Sequence, residues 1–445
     1  MNIAFEISPL LTASGTFGDK SGVYRYMMGL LKGMRNHIKK NKLDTKIVLF
    51  SFNPHFLKLP LNPEIFSLID NKHVMLLRKT KVEEENKGFF IYIKRLINLK
   101  PNLFLKILNK AFFIKKILLN LNNRLDFIFY LKLLNKEFKK RKVNTIFHSE
   151  TAFFNVRDYI NIIVMYDLTP IYLSEFHRKE TIDLKKRKLR FGLDYCKGLI
   201  CISESTKNDL IKYSPIFKKK KIIIGYPGLD EVFQNKSNKK NTNSIRNVNN
   251  ILKNYCGKIK SKKYILYYGT FEPRKNIIYL VKAFSDLIKE KQITSDFKLI
   301  LIGGEGWGRV KKKIKDYINE EFPLVQKRNI TVLNYVNDEY LIDFIKNAYA
   351  VVYPSIYEGF GLPVLEAMSQ KTPVICSDSS SIPEVGENSV LYINHWDFFD
   401  LKDKIKYLIK HKGMAHELSR DGFNQSKKFT WENTTSKVFK LIKSL

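Results

Sequence analysis

A chain of 445 residues exceeds the usual extent of one hydrophobic core, and its 44% hydrophobic and 13% aromatic residues exclude a disordered polypeptide and predict two domains. The 78 Lys and Arg against 43 Asp and Glu leave a net charge of +35. This is either a habit of a Lys-, Asn- and Ile-rich composition or the mark of an anionic partner: nucleic acid, an acidic membrane surface or a polyphosphate substrate. The four cysteines, Cys196, Cys201, Cys256 and Cys376, form no CxxC pair and have no histidine-rich neighbourhood of ligand spacing, which argues against a zinc site.

Met1 to Ser8 reads as a short strand with Glu6 inside it, not as a basic start followed by a long apolar run. No signal peptide is expected, and the protein is expected in the reducing cytoplasm. Through the first half, β-rich runs at Ile3–Ile7, Lys46–Phe50, Thr145–His148, Ile162–Tyr166 and Leu199–Ile202 alternate with helical patterns at Gly22–Ile38 and Ser205–Tyr213. That alternation predicts βαβ units on a parallel sheet. Within this half, residues 88–142 carry apolar clusters broken every few residues by Lys, Arg or Asn, and nowhere in the chain do about 18 apolar residues run uninterrupted as a membrane span requires. The region reads as basic amphipathic helices, which either lie on an anionic membrane surface or pack within the first domain. The lone His148 at a strand end reads as a structural histidine.

Residues 234–263 are rich in Asn, Lys and Ser, with few apolar positions before Ile251, the composition of a linker. A second α/β series follows, with strands at Tyr264–Tyr268, Lys298–Ile302, Ile330–Leu333, Ala350–Tyr353 and Pro373–Cys376. Helices fall at Ile277–Lys289, Val310–Ile318, Asp338–Asn347 and Leu362–Ser369. The expected organisation is a first domain over 1–233, a second over 264–429, and a helix over 430–445 that returns to the first.

The strongest local signal is Pro354-Ser-Ile-Tyr-Glu-Gly-Phe-Gly-Leu-Pro-Val-Leu-Glu-Ala-Met368, directly after a strand. A strand, a glycine-containing loop and a helix in succession present backbone N–H groups, backed by the helix dipole, to an anion such as phosphate. Glu358 and Glu366 stand eight residues apart, roughly 12 Å along a helix, so they cannot both hold one atom. Either they divide the work, Glu358 at a sugar and Glu366 at a ribose, since carboxylates accept from hydroxyl pairs, or they are a solvated loop acid and an ordinary first-turn acid. A second strand-to-helix turn carries Arg274 and Lys275, which suit a diphosphate as a forked contact and a point charge respectively. Ligands of open α/β sheets bind at that carboxyl edge of the strands.

Together, Glu358-Gly-Phe-Gly-Leu-Pro-Val-Leu-Glu366, Pro273-Arg-Lys-Asn276, Ile302-Gly-Gly304, Gly306-Trp-Gly308 and Phe429-Thr-Trp431 resemble the retaining GT-B glycosyltransferases of family four, the glycosyl transferases group 1. The resemblance is close from Tyr264 onward and looser before it. Gly15-Thr-Phe-Gly-Asp-Lys-Ser-Gly-Val-Tyr-Arg-Tyr26 resembles the family's glycine-containing loop, with Gly22 near the donor phosphates. Tyr166-Asp167 resembles its His-Asp segment, with Tyr166 in place of the usual His. The candidate polar residue there is Asp167, which also reads as a cap or turn residue.

The resemblance implies an α/β fold of two Rossmann-like, doubly wound domains facing an interdomain cleft. It implies transfer of a hexose from a nucleoside-diphosphate sugar with retention and without a metal or other cofactor. Glu358 and Asp167 would serve catalysis; Gly22, Arg274, Lys275, Phe360, Gly361 and Leu362 the donor phosphates; Tyr335, Val336 and Glu366 the nucleoside. The motif style leans toward GDP-mannose, and the basic, apolar residues 88–142, where they lie on an anionic inner leaflet, point to a glycan or lipid-linked acceptor there. The alternatives are a UDP-hexose transferase and a non-enzymatic nucleic-acid- or phosphate-binding protein.

Overall fold

The computed structural model describes residues 1–12, 22–53, 63–77, 127–128, 130–150, 153–156, 158–234, 244–253, 259–321 and 329–445. Of the features singled out above, residues 15–21 of the glycine-containing loop, residues 88–126 and 129 of the basic stretch, and Cys256 lie outside them.

Thirteen strands among the described residues form two parallel sheets. The first takes β1 (Asn2–Glu6), β2 (Lys46–Phe50), β3 (Val74–Leu76), β4 (Val143–His148), β5 (Ile160–Met165), β6 (Cys196–Cys201) and β7 (Lys221–Ile224) in the order β3-β2-β1-β4-β5-β6-β7. The second takes β8 (Tyr264–Tyr268), β9 (Lys298–Ile302), β10 (Ile330–Leu333), β11 (Ala350–Tyr353), β12 (Val374–Ser377) and β13 (Leu391–Ile393) in the order β10-β9-β8-β11-β12-β13. In each, the chain starts near the middle, winds to one edge, then crosses back and winds to the other, which is the doubly wound, Rossmann-like order. β8, β11 and β12 are buried along their whole length, as parallel strands covered on both faces must be.

The chain divides into two compact units. One comprises Met1–Gly18, Ile38–Ile163 and Tyr195–Lys197. Its core joins Ala4, Val48, Phe50 and Ile146 with Leu134 and Phe138 from a helix over 130–140, so that end of the basic stretch packs inward. His148 is fully buried, takes part in a 2.8 Å hydrogen bond with Asn161 Oδ1 and stacks on Phe52, the structural role expected of it.

The other unit comprises Asp19–His37, Val164–Asp194 and Gly198–Leu445. Here the helix Trp431–Ser444 packs on the helix Gly22–Lys40, with Trp431 edge-on to Tyr26 and Phe439 stacked on His37. Within the stretch read as a linker the structure has a helix, Ser244–Leu252, which buries Val248 and Leu252 one turn apart and ties Asn247 to Asp343 at 2.7 Å. Its Asn-rich composition hid a stripe only two residues long. Among the described residues no helix is long and apolar enough to cross a membrane.

Candidate functional site

The topological switch point of the six-stranded sheet lies between β8 and β11, where successive connections leave in opposite directions and open a crevice. The loop after β8 carries Arg274 and Lys275 in a tight turn, Pro273–Lys275, closed by Asn276 at φ 54° before the helix Ile277–Lys289. The loop after β11 carries Glu358 and ends at Gly361, whose φ of 103° only glycine adopts freely. The helix Leu362–Ser369 starts there, with Pro363 in its first turn and Glu366 buried.

These loops border a cavity of about 360 Å³. Its lining includes all eleven residues singled out from the sequence: Gly22, Asp167, Arg274, Lys275, Tyr335, Val336, Glu358, Phe360, Gly361, Leu362 and Glu366. Tyr335 and Val336 enter from the end of β10, just before Asn337, whose side chain caps the helix Asp338–Asn347. A larger cavity of about 790 Å³ shares Arg25, Tyr26, Pro227, Leu362 and Glu366 with the first, but Arg274, Lys275 and Glu358 line only the smaller one.

Glu358 is held from both ends. Its carboxylate meets Lys275 Nζ at 2.6 Å and Arg274 Nη1 at 3.2 Å, while its backbone N–H donates to Ser380 Oγ and its carbonyl accepts from Ser381 Oγ, each at 2.8 Å. Arg274 also pairs with Glu272 at 3.0 Å and donates to the Tyr357 carbonyl at 2.9 Å; Lys275 donates to the Tyr353 hydroxyl at 2.6 Å. The two expected cations are therefore matched by two carboxylates rather than standing as bare positive charge. Arg274 Nε is buried and has no hydrogen-bond partner among the described residues.

Burial alone would push the Glu358 carboxyl up, but Lys275 and Arg274 outweigh it and hold its pKa at about 2. Burial, together with Arg274, moves Lys275 below the ordinary lysine value against the pull of Glu358 and Glu272. Asp167 is likewise desolvated, yet Lys185, Arg274 and hydrogen bonds from Thr169 keep it below its usual value. Asp167 Oδ1 accepts from Thr169 N at 3.2 Å and Thr169 Oγ1 at 2.8 Å, as in a turn, and Asp167 is among the residues lining the cavity.

Arg25 was not singled out, although it lies in the glycine-containing segment. Its Nη1 donates to Glu366 Oε1 at 2.9 Å and its Nη2 to Asp338 Oδ1 at 2.6 Å, while Phe233 lies against the guanidinium. Nothing local distinguishes this arginine from its neighbours; its partners are more than three hundred positions away. Burial raises the Glu366 carboxyl to about 7, with Arg25 pulling down and Asp338 and Asp230 pushing up.

At the position of the expected histidine, Tyr166 sits edge-on to Tyr26 with Lys188 Nζ 5.1 Å from its ring centre. The Tyr166 carbonyl approaches the Glu358 loop so closely that a Cβ on Gly359 would stand 2.4 Å from it. Among the described residues Gly22 has no such constraint: a Cβ there meets none of them within 4 Å. Among the described residues no group of three or more His, Cys, Asp and Glu side chains is placed to hold a metal ion.

Residues 250–425 match the family model described as glycosyl transferases group 1. O-antigen chain mannosyltransferase B of Escherichia coli is 29% identical over 307 residues, 67% of this chain and 74% of that protein. O-antigen chain mannosyltransferase RfbU of Salmonella typhimurium is 28% identical over 281 residues, 62% and 67% respectively. Anabaena Alr3699/HepE, solved in complex with UDP and glucose, superposes over 100% of both chains with a TM-score of 0.63 at 14% identity. Sucrose-phosphate synthase from Thermosynechococcus elongatus gives 0.62 at 15%, over 100% of this chain and 98% of that one. These likenesses, with the two Rossmann-like sheets, are those of the GT-B fold.

Proposed function

We propose that this chain, a member of the glycosyl transferases group 1 family, moves mannose from GDP-mannose, with retained anomeric configuration, onto a glycan or lipid-linked glycan in surface polysaccharide assembly. The names of the two O-antigen mannosyltransferases support mannose, and the UDP and glucose in the Anabaena structure support a nucleoside-diphosphate sugar as donor class. The observation that carries the reading is the joining of Arg274, Lys275 and Glu358 at the switch point, beside the N-terminus of the helix Leu362–Ser369.

The reaction breaks the bond between the anomeric carbon and the β-phosphate oxygen, and the electron pair leaves with the diphosphate. Negative charge then grows where Arg274, Lys275 and the amides of Phe360, Gly361 and Leu362 are, groups that need no reorganisation to receive it. The acceptor hydroxyl attacks on the face the diphosphate leaves, and its proton passes to a leaving phosphate oxygen, so charge and atoms balance.

Glu358, ionised at any working pH, accepts hydrogen bonds from the donor sugar's hydroxyls rather than giving a proton. Glu366 accepts from the ribose, Tyr335 and Val336 border the base, and Asp167, close enough to Arg274 to feel its charge, serves catalysis from the same cavity. The chain works at the cytoplasmic face of a membrane where the lipid-linked acceptor is held.

Titration calorimetry of the full chain with GDP, UDP and ADP tests the base directly. The expected result is GDP binding at least about tenfold tighter than UDP, with ADP weaker still. Tighter UDP binding overturns GDP-mannose as donor in favour of a UDP-hexose, and no binding of any nucleotide overturns the transferase reading itself.

A further inference from the structure

Two segments without a single acidic residue meet at one edge of the seven-stranded sheet. Residues 212–229 hold Lys212 and Lys218 to Lys221, and residues 433–445 hold Lys437, Lys440 and Lys443. β7 is the edge strand, and the helix Trp431–Ser444 packs against it, so the fold brings Lys220, Lys221, Lys437 and Lys440 together from distant parts of the chain, with four more lysines in the same two segments. At the chain's ratio of 78 basic to 43 acidic residues, eight lysines would come with about four acids. These two segments supply none, and the nearest acid on the helix, Glu432, stands in its first turn.

The patch is not only charged. Lys220, Lys221, Lys437 and Lys440 border a shallow groove of about 570 Å³ that the half-buried Ile222 and Ile223 also line. Directly before β7, the turn Pro215–Lys219 buries Phe217 and leaves Ile216 58% exposed, next to an exposed Tyr213. A charged polymer in water would neutralise the ammonium groups but leave this apolar surface wet. A lipid interface takes both: phosphate headgroups meet the ammonium groups, while lysine stems and Ile216 enter the boundary with the acyl chains.

We infer that this edge, β7 with the helix Trp431–Ser444, is a docking surface for an anionic lipid bilayer. The inference rests on the membrane location proposed above and gives it a surface separate from residues 88–142.

The test is sedimentation of the full chain with vesicles of phosphatidylcholine containing about 30 mol% phosphatidylglycerol, and with phosphatidylcholine alone. Wild type is expected to sediment with the anionic vesicles at low salt, to be released as salt rises, and to ignore the neutral ones. A Lys218→Glu, Lys219→Glu, Lys440→Glu, Lys443→Glu variant, all exposed positions, should lose at least about tenfold in partitioning while binding nucleotide as wild type does. Ile216→Ser should weaken binding to a smaller extent and with unchanged salt dependence. A control reversing exposed Lys312, Lys313, Lys315 and Lys410 should lose much less. If the control loses as much, net charge and not this edge binds the vesicles, and the inference falls. If the patch variant binds as wild type does, another surface docks. If wild type ignores anionic vesicles but its patch retains a DNA duplex, the partner is a nucleic acid, and the membrane location falls with the inference.

Discussion

Arg25 Nη1 lies 2.9 Å from Glu366 Oε1, joining a helix of the first half of the sequence to the carboxylate proposed to hold the donor's ribose. The same guanidinium reaches Asp338 at 2.6 Å, so one part-buried cation serves two acids. Glu366 is faced by Arg25, Asp338, Asp230 and Tyr268, and its pKa of about 7 is the outcome of burial opposed chiefly by Arg25. Arg25→Met removes the main force keeping it ionised, so the carboxyl titrates at higher pH. Nucleotide binding should then weaken by about tenfold near neutral pH and recover toward the wild-type value in alkaline buffer, a recovery that general misfolding would not produce. Calorimetry across pH checks this, with Arg25→Lys expected to lie between the two. Equal binding of GDP and UDP by Glu366→Gln and wild type would instead remove Glu366 from the nucleotide site.

Glu358 is coupled to its cations in both directions. Glu358→Gln keeps the shape but leaves Arg274 paired with Glu272 and Lys275 without its carboxylate partner, a buried imbalance that costs about 2–4 kcal/mol of stability. In the transfer reaction the same substitution removes a charged acceptor for the sugar's hydroxyls and should lower kcat by about a hundredfold or more. Nucleoside diphosphate alone, which lacks the sugar, should bind nearly as well as before or better. Steady-state kinetics, calorimetry with GDP and a denaturant curve separate the three effects; unchanged kcat would remove Glu358 from the site.

Much of this site was legible because its signals are local. Strands β8 and β11 are continuous apolar runs, and Arg274, Lys275, Glu358 and Gly361 each follow one at a strand-to-helix loop, where the carboxyl edge of a parallel sheet must lie. What escaped notice depends on partners distant in sequence. Arg25 acquires meaning only when the helix Gly22–Lys40 meets Asp338 and Glu366. Glu384 likewise reads as an ordinary acid until it accepts from the backbone N–H groups of Glu204 and Ser205, at 2.7 Å each, and caps the helix Glu204–Tyr213. Short or half-buried elements also escaped: β3 and β13 have three residues each, and Lys179–Tyr195 is a helix in which buried positions are scattered among charges.

Gly359 and Gly22 make a contrasting pair. An alanine Cβ at 359 would collide with the Tyr166 carbonyl, a backbone atom that no side-chain rotation can move, so the Glu358 loop must shift. Gly359→Ala should cost about 1–3 kcal/mol in a denaturant titration and depress transfer with it. Gly22→Ala meets none of the described residues and should leave stability within about 0.5 kcal/mol of wild type. If Gly22→Ala nevertheless weakens nucleotide binding, the glycine matters for approach of the ligand to the backbone; if binding is also unchanged, Gly22 has no part in holding phosphate.

The first unit carries its own pH dependence. Glu6 ends β1 fully buried, with Ser8 N donating to it at 3.0 Å and the Ser8 hydroxyl also in contact, and desolvation raises its carboxyl to about 7 despite hydrogen bonds from Ser149 and Ser8. A carboxyl whose folded pKa lies above its unfolded value of 4.5 binds its proton more tightly in the native state. Its contribution is therefore fully favourable below about pH 4.5 and is lost as pH rises toward and through about 7. Glu6→Gln cannot ionise and removes that loss. Relative to wild type, the variant should gain about 1–3 kcal/mol between pH 5 and pH 8, nearly all of it below about pH 7, with the difference levelling off above that. Denaturant unfolding of both proteins at several pH values reads the difference directly, and a difference that does not vary with pH would mean that Glu6 is already ionised in the folded state throughout.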